Sequence, residues 1–422
     1  MWVVYDLLVL LGLLLYLPCA VWRRRLPHAG WSMRLGRYPS SVTAAVEGRS
    51  SLWIHAVSVG EVLAARPLIR ALAQRDPDTP LVLSTITAGG LHVARQQPNV
   101  IPVLFPLDVS RCVHRAFEVV RPRALLLMES ELWPNVIRVA HASHVPIAVV
   151  NGRMSERAFR RYQRIRPLAT PLLLQIERFL MQTDIDARRV QQLGVPAQRI
   201  QVVGSLKWDA SLGARPTPEL IQQAADALGL HGEPVIVAGS THRGEEQSVL
   251  QAFRAIRRAQ PTVRLIIAPR HLERLDEVQG LAQQSGFVVR RVSHTDPAGS
   301  WDIALVDTFG RLPIYYGLGR VAFIGGSLIP HGGQNPLEAA SLNVPTVFGP
   351  SMENFADITQ QLIDHQAACQ ISHPGELSQQ LQAVLGDPNL AQALGQRAQQ
   401  LIARQQGATS RLLSKLEPIL NK

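Results

Sequence analysis

The stretch VAFIGGSLIPHGGQNPLEAASLNVPTVFGP, residues 321–350, decides the fold expected of this chain. Its apolar run Val321–Ile324 predicts a buried strand, a glycine-rich loop and a helix opening at Asn335-Pro336 follow, and Val344–Phe348 predicts another strand. The start of such a helix can bind phosphate, because its free N–H groups and its dipole favour an anion. The alternative needs no ligand, since Asn335 as N-cap and Glu338 three residues later form a capping-box-like pattern.

The same alternation of strand-length apolar runs and helical segments extends from Ser51 to the end of the chain, which is typical of a parallel α/β fold. A linker at 211–218, rich in Pro, Gly and Thr, separates the halves 51–210 and 219–422, and the second half is expected to include the final helices at 389–420. A chain of 422 residues exceeds one ordinary core, so two domains are expected. Two such halves suggest a cleft, with ligands at the carboxyl ends of the strands. The predicted strands are Leu52–Val57, Leu81–Ile86, Ile101–Phe105, Ala124–Met128, Pro146–Val150, Arg178–Gln182, Ile200–Val203, Pro234–Ala238, Val263–Ala268, Phe287–Arg290, Ile303–Val306, Val321–Ile324 and Val344–Phe348.

Composition narrows the classes of partner. A net charge of +11 calls for an anionic partner, which is nucleic acid, anionic lipid or a phosphorylated substrate. Zinc-finger spacing and RNA-binding aromatic signatures are missing from the sequence, and the arginines cluster at 23–37 and 153–166, so a membrane surface is favoured over nucleic acid. The three cysteines, Cys19, Cys112 and Cys369, lie far apart, which argues against a disulfide framework or a zinc site.

The N-terminal segment, residues 1–22, is apolar over about the length that crosses a bilayer, and Asp6 is its only charged residue. The positive charges Arg23–Arg25 follow the apolar run instead of preceding it, which differs from a secretory signal. The positive-inside rule therefore predicts a single-pass anchor and a basic segment at 23–50, with the catalytic body on the cytoplasmic face of the membrane. A helix lying in the membrane interface is the alternative.

Three motifs in the first half follow predicted strands, where the active-site loops of an open sheet are expected. SVGE at 58–61 places Glu61 at a strand-to-helix turn, where it either favours the helix dipole or acts as a general base toward a hydroxyl. ESELWPN at 129–135 contains two carboxylates that are costly to bury unpaired, and Glu131 is expected to pair with a cation or orient an acceptor. GSLKWD at 204–209 directs Lys207 toward the cleft, although a solvated lysine is the simpler interpretation.

Three motifs in the second half occupy the same kind of position. AGSTHRGEE at 238–246 is a glycine and hydroxyl loop before a helix, and APRH at 268–271 and VDTFGR at 306–311 follow two other strands. Arginine at a strand end is a ready bidentate partner for phosphate or carboxylate. Because the three motifs follow successive strands of the second half, they favour an anion-binding site at one edge of its sheet.

Taken together, the motifs resemble those of the 3-deoxy-D-manno-octulosonic acid (Kdo) transferases of lipopolysaccharide assembly. SVGE, ESELWPN, GSLKWD, AGSTHRGEE, APRH, VDTFG and GGSLIPHGGQNPLEAA run in the family's order over nearly the whole chain. The resemblance implies a GT-B glycosyltransferase, with two Rossmann-like domains facing across a cleft and an N-terminal membrane-anchor helix. It implies transfer of Kdo from CMP-Kdo to the lipid A precursor at the bacterial inner membrane.

The resemblance also assigns roles to residues. Glu61 corresponds to the general base, and Glu131 and Lys207 correspond to positions that stabilise the transition state. No metal or other cofactor is demanded, since Lys207, Arg270 and the helix at Asn335 can neutralise the departing phosphate. The CMP-binding positions are expected at Pro269, Arg270, Phe309, Gly310, Arg311, Asn335, Pro336, Leu337 and Glu338.

One position departs from the family pattern. The family usually has an acidic residue after the glycine of VDT(M/F)G, whereas this chain has Arg311, so a side-chain contact with the donor would differ here. Two other functions stay open on the residues alone: a GT-B enzyme that uses a UDP-sugar, and a membrane-tethered nucleotide sensor without activity. A dinucleotide-dependent oxidoreductase is disfavoured, because no GxGxxG follows the first strand.

Overall fold

The chain folds into two compact units, each built on one parallel β-sheet. This computed structural model describes residues 5–7, 9–12, 14–15, 30–130, 132–213, 215–293 and 300–421. Unit 1 comprises Met1–Ala210 and Gln406–Lys422, and unit 2 comprises Ser211–Gln405. Each sheet has seven strands in the described residues.

The sheet of unit 1 has the strand order β3-β2-β1-β4-β5-β6-β7. Strands β2 and β3 are added on one side of β1, and β4 to β7 are added on the other side. Its strands are buried apolar runs, as expected where helices cover both faces of a parallel sheet. Side chains alternate between two cores along each strand: Trp53 packs in one core, whereas Leu52 and Ile54 pack in the other. The strands are β1 Ser51–His55, β2 Leu81–Thr85, β3 Ile101–Leu104, β4 Pro122–Met128, β5 Ile147–Gly152, β6 Arg178–Met181 and β7 Ile200–Val202.

The helices of unit 1 connect these strands and cover the sheet. They are Trp31–Arg34, Ser40–Val46, Val59–Arg75, Ala88–Arg95, Ser110–Val120, Pro134–Ala142, Glu156–Arg164, Arg166–Leu173, Asp184–Gln192 and Ala408–Leu420. Helix Leu206–Gly213 spans the boundary between the units.

The sheet of unit 2 has the order β10-β11-β9-β8-β12-β13-β14, and all of its strand pairs are parallel. Its strands are β8 Val235–Thr241, β9 Arg264–Pro269, β10 Val289–Arg291, β11 Ile303–Leu305, β12 Val321–Ile324, β13 Thr346–Phe348 and β14 Cys369–Gln370. Its helices are Pro218–Leu228, Glu245–Ala259, Leu275–Gln284, Leu312–Tyr316, Leu337–Ala340, Ala356–Asp364, Leu377–Gly386 and Pro388–Gln405.

The predicted strands all occur, with small shifts at their ends, and the sequence missed only the two-residue edge strand β14 among those described. The assignment of the final helices is corrected. Residues Pro388–Gln405 stay in unit 2, but Ala408–Leu420 packs in unit 1 against β4, β5 and β6, where Leu412, Leu416 and Ile419 join the core. The linker is also shorter than predicted, because helix Leu206–Gly213 extends into it.

The predicted N-terminal anchor lies largely outside the described residues. Of residues 1–22, the structure describes 5–7, 9–12 and 14–15. These described residues are helical, and we refer to them as the N-terminal helix. A search of the described residues finds no helix with the length and hydropathy needed to span a bilayer.

Candidate active site

Glu61 lies in the first turn of helix Val59–Arg75, directly after β1, and its side chain is almost fully buried. The N-cap residue Ser58 accepts a hydrogen bond from the backbone N of Glu61 at 3.4 Å, and its hydroxyl donates to Glu61 Oε1 at 3.2 Å. The backbone N of Val57 donates to Glu61 Oε2 at 2.9 Å. This capping box fixes the carboxylate at the carboxyl end of β1, a position that suits both the structural and the catalytic interpretation.

Lys207 forms an ion pair with Glu129, the residue that directly follows β4. The distance between Lys207 Nζ and Glu129 Oε1 is 3.3 Å, and the two side chains are only 15% and 19% exposed. Glu129 has a φ of 55°, a left-handed conformation that is uncommon for a residue with a side chain and often marks a functional turn. The backbone strain therefore belongs to the turn that brings a carboxylate to Lys207.

A buried asparagine orients the helix that carries Lys207. Asn151, in β5, also has a positive φ of 52°, and its Oδ1 accepts a hydrogen bond from Leu206 N at 2.9 Å. Gln182 Nε2 in turn donates to the backbone oxygen of Asn151 at 2.9 Å. Glu131, which is expected from the sequence to pair with a cation or orient an acceptor, lies outside the described residues.

The predicted donor-binding residues of unit 2 follow strands that are neighbours in the sheet. Pro269 ends β9 and Arg270 follows it. The backbone N of Arg270 donates to Thr241 O, at the end of β8, at 2.9 Å. The Arg270 guanidinium makes no hydrogen bond or ion pair within the part of the chain that the structure describes. By contrast, Arg274 is bound to Glu246 and Glu277. Arg270 is therefore a cation available to a ligand.

Three histidines collect beside Arg270 at this edge of the sheet. The ring centroid of buried His242, after β8, lies 4.0 Å from that of His331 and 5.6 Å from that of His271. Burial, and then the charges of His331, His271, Arg270 and Arg274, lower the pKa of His242 to about 4. Burial is the largest cause of the low pKa, and the neighbouring positive charges that add to it favour an anionic ligand at this edge.

The glycine-rich loop after β12 is held by a carboxylate of the protein. Glu245 is completely buried, and its oxygens accept hydrogen bonds from the backbone N of Gly326 at 2.6 Å, Ser327 at 3.0 Å and Leu328 at 2.9 Å, and from His242 N at 2.9 Å. Burial raises the pKa of Glu245, while these four amides oppose the rise. The first amides of the loop are thus already satisfied by Glu245, so they do not form the phosphate site that the glycines suggested.

The helix after this loop begins later and is shorter than the sequence predicts. It covers only Leu337–Ala340, with Pro336 at the N-cap, and Asn335 Oδ1 accepts a hydrogen bond from Leu337 N at 3.1 Å. A single turn has few aligned peptide dipoles, so its contribution to anion binding is small. An anion bound at this edge would depend more on cationic side chains such as Arg270 than on this helix.

The segment Phe309-Gly310-Arg311 follows β11 and begins another short helix, Leu312–Tyr316. The ring of Phe309 is 53% exposed, and Gly310 has a φ of 78°. Helix Leu312–Tyr316 packs against the turn that carries Glu338, and Glu338 contributes, after burial, to the raised pKa of Tyr316. This places the Arg311 and Glu338 segments side by side at the same edge of unit 2.

Sequence reasoning did not select five residues that the structure brings into the two sites. Glu129 was quoted within a motif, but Glu131 was favoured over it. His242, His271 and His331 stood in three separate motifs, and Glu245 was read as part of a loop. The strand order β9-β8-β12 explains their proximity, and grouping the motifs by sheet neighbours would have found them.

Comparison with known proteins agrees with this arrangement. Residues 29–210 match the family model described as 3-deoxy-D-manno-octulosonic-acid transferase (kdotransferase). The chain is 31% identical to the 3-deoxy-D-manno-octulosonic acid transferase of Haemophilus influenzae over 92% of its own length and 91% of the relative's. It is 33% identical to the enzyme of the same name from Bordetella pertussis, with 94% of each chain covered.

The fold is shared more widely. A putative UDP-N-acetylglucosamine 2-epimerase from Listeria monocytogenes superposes with a TM-score of 0.58, covering 88% of this chain and 97% of its own, at 14% identity. This likeness concerns the two-sheet α/β fold alone.

The two α/β units, taken together with these relatives, identify a glycosyltransferase with two Rossmann-like units. The chain belongs to the 3-deoxy-D-manno-octulosonic acid transferase family.

Proposed function

We propose that this enzyme transfers Kdo from CMP-Kdo to the hydroxyl of the lipid A precursor, with inversion at the anomeric carbon, during lipopolysaccharide synthesis. The observation that carries the donor assignment is the cationic edge of unit 2. Arg270 lacks a partner among the described residues and lies beside His242, whose pKa is depressed to about 4. CMP-Kdo carries a phosphodiester and a carboxylate, so it matches this potential. The exposed ring of Phe309 offers a surface for the cytosine base.

In the proposed reaction, the acceptor oxygen attacks the anomeric carbon of Kdo while the bond between that carbon and the CMP phosphate oxygen breaks. Glu61 takes the proton of the acceptor hydroxyl, and CMP leaves with the electron pair. A single displacement of this kind inverts the anomeric centre. The capping box supports the assignment, because it fixes the Glu61 carboxylate before substrate binds and so avoids an entropic penalty at the moment of reaction.

Lys207 is proposed to stabilise negative charge that develops on the departing phosphate in the transition state. Glu131 is proposed to help stabilise the transition state by pairing with a cation or orienting the acceptor. The ion pair of Lys207 with Glu129 and the low exposure of Lys207 keep the ammonium in one position. A preorganised charge in a partly buried site stabilises a transition state more than a solvated one does. Asn335 to Glu338 and Arg311 are proposed as further donor contacts.

We also propose that the enzyme works at the cytoplasmic face of the bacterial inner membrane, where its lipid acceptor resides. The support is the net charge of +11 and the apolar N-terminal sequence.

The proposed function is tested by incubating the full-length enzyme with CMP-Kdo and the tetra-acylated lipid A precursor, and in parallel with UDP-sugars. We expect the mass of the acceptor to increase by one or more Kdo residues, and we expect the new linkage to have the anomeric configuration opposite to that of the donor. Transfer from a UDP-sugar without transfer from CMP-Kdo would refute the donor assignment. Retention of configuration would refute the single displacement.

A further inference from the structure

The N-terminal helix is held against the rest of unit 1 by Asp6, the only charged residue of the apolar segment 1–22. Asp6 Oδ1 accepts hydrogen bonds from Ser110 N at 3.1 Å and from Asn135 Nδ2 at 2.7 Å. The preceding residue, Tyr5, donates its hydroxyl to Asp108 Oδ2 at 2.8 Å. Asp108 and Asn135 are themselves buried, so these contacts tie the helix to the interior of the unit.

The same loop also binds the chain at residue 34. Leu107 N donates to the backbone oxygen of Arg34 at 2.7 Å, one residue before Asp108. The two attachments, at residues 5–6 and at residue 34, are therefore separated by only a few residues of the loop 107–110. Residues 6 and 34, between which the stretch 7–33 runs, are therefore held at one place on unit 1.

This closure limits how the segment can meet a membrane. A chain that leaves one point on a cytoplasmic domain and returns to it crosses the bilayer an even number of times. Two helical crossings require roughly 40 residues, and only residues 7–33 are available. A single crossing would place residues 5–6 on one face of the membrane and residue 34 on the other. Unit 1 contacts both, so it would have to lie on both faces at once.

The described part of the helix has the surface of an interfacial helix. Its exposed leucines follow the spacing i, i+3, i+4, i+7, i+8, which places them on one face, while Tyr5, Asp6 and Val9 are partly covered. An exposed stripe of this kind on a soluble surface is unfavourable, and the headgroup and acyl boundary of a bilayer would bury it. The stripe is formed by Leu7, Leu10, Leu11, Leu14 and Leu15.

The charge around the attachment site suits an anionic bilayer. Burial and Asp108 are the main causes of the raised pKa of Tyr5, and Tyr162 adds to it, so Tyr162 of helix Glu156–Arg164 lies within electrostatic range of the N-terminal helix. That neighbouring helix has no buried residue, and it exposes Arg157, Arg161 and Arg164, followed by exposed Ile165 and Leu168. Basic residues next to an apolar stripe are typical of a surface that binds anionic lipid headgroups.

We propose that the N-terminal helix lies in the interface of an anionic bilayer, pinned to unit 1 by Tyr5 and Asp6, and that it does not cross the membrane. This inference rests on the proposed placement of the enzyme at a membrane, and it replaces the expected single-pass anchor by an in-plane attachment. Pinning holds the catalytic unit at a fixed distance from the lipid acceptor.

The depth of the helix distinguishes the two arrangements. Spin labels are attached to Leu7→Cys, Leu10→Cys, Leu11→Cys, Leu14→Cys and Leu15→Cys, each in a full-length chain whose native cysteines are replaced by serine. Depths are measured by electron paramagnetic resonance in vesicles of phosphatidylethanolamine and phosphatidylglycerol. We expect all five labels at similar, shallow depth. A crossing helix would show a steady change of about 12 Å from residue 7 to residue 15, and this result would overturn the proposal. Labels that stay in water would overturn it as well.

The pinning contact is tested separately by hydrogen exchange of the vesicle-bound enzyme. We expect Asp6→Ala to speed exchange of the Ser110 amide at least several-fold, because that amide loses its acceptor. Asp6→Asn keeps an acceptor oxygen and should change the rate much less. Equal exchange in wild type and Asp6→Ala would show that the contact is not formed on the membrane. Neither measurement uses transfer activity, so failure of the proposed reaction and failure of this inference give different results.

Discussion

Lys207 Nζ lies 3.3 Å from Glu129 Oε1, and both side chains are largely shielded from solvent. If this pair positions the ammonium for catalysis, Lys207→Met should lower kcat by roughly 100- to 1000-fold, as removal of a preorganised charge does in other enzymes. Glu129→Gln should lower it less, and the double variant should be no worse than Lys207→Met alone. Steady-state transfer rates with saturating donor and acceptor provide the measurement.

The matched control is Asp76→Asn, which removes the partly exposed ion pair between Asp76 and Arg123 elsewhere in unit 1. It should leave kcat within about twofold, since surface pairs contribute little. Additive losses in the Lys207 and Glu129 variants would contradict the positioning role of Glu129.

Glu61 allows the structural and catalytic roles of one carboxylate to be separated. Glu61→Gln retains an oxygen that accepts from Val57 N and an amide that can bond Ser58, so the helix cap should survive. Loss of the base should nevertheless reduce transfer by roughly 100- to 10,000-fold. Donor affinity should stay close to that of the wild type, which isothermal calorimetry with CMP measures.

A control with the same local architecture is available at Asp186. That buried carboxylate forms a capping box with Thr183 and accepts from Met154 N at 2.7 Å. Asp186→Asn should lower the free energy of unfolding by about 1 kcal/mol while retaining transfer. If both variants lose stability and activity in the same proportion, Glu61 is only a cap.

Arg270 and Arg243 separate a ligand-binding cation from a structural one on the same unit. Arg270→Ala should raise the Kd for CMP-Kdo by roughly 10- to 100-fold, because a charge-assisted hydrogen bond contributes about 1.5–3 kcal/mol. Arg243 is 77% exposed and is paired with Glu277, so Arg243→Ala should leave the Kd unchanged. Equal Kd values for the wild type and Arg270→Ala would exclude the proposed phosphate or carboxylate contact.

The strands were predictable because a parallel sheet buried on both faces requires continuous apolar runs, such as Leu81–Thr85 and Val321–Ile324. The partner of the last helix was not predictable. Helix Ala408–Leu420 is amphipathic, and an amphipathic pattern states that one face is buried without stating against which sheet. Its return to unit 1 depends on tertiary contacts such as those of Asp209, whose carboxylate accepts from Gly407 N and Thr409 N.

The site shows the same limit. Residues at strand ends, such as Arg270 and Lys207, follow from strand positions, since parallel strands end at one edge. Glu129 is the partner of Lys207 because Glu129 adopts a left-handed backbone conformation, and the residue types of the motif do not predict that conformation. The glycine-rich loop misled the sequence reading for a related reason: its amides bind an anion, but that anion is the carboxylate of Glu245.

His242 predicts a pH dependence whose sign follows from its surroundings. Its pKa is about 4 in the folded protein and about 6.5 when unfolded, so the unfolded state binds more protons between these values. The free energy of unfolding should therefore fall as the pH is lowered from 6.5 toward 4, by at most about 3 kcal/mol from this residue. Above pH 6.5 the contribution is complete and constant.

Urea unfolding across this pH range measures the effect. His242→Gln should flatten the dependence, while His365→Gln, at an exposed histidine of the same unit, should not. A bound anionic donor reduces the positive potential around His242 and raises its pKa, so saturating CMP should also flatten the dependence of the free energy of unfolding on pH. The same linkage requires CMP to bind more tightly as the pH falls from 6.5 toward 4 in the wild type but not in His242→Gln. If CMP affinity in the two proteins followed the same pH dependence, His242 would not lie in the potential that recognises the donor.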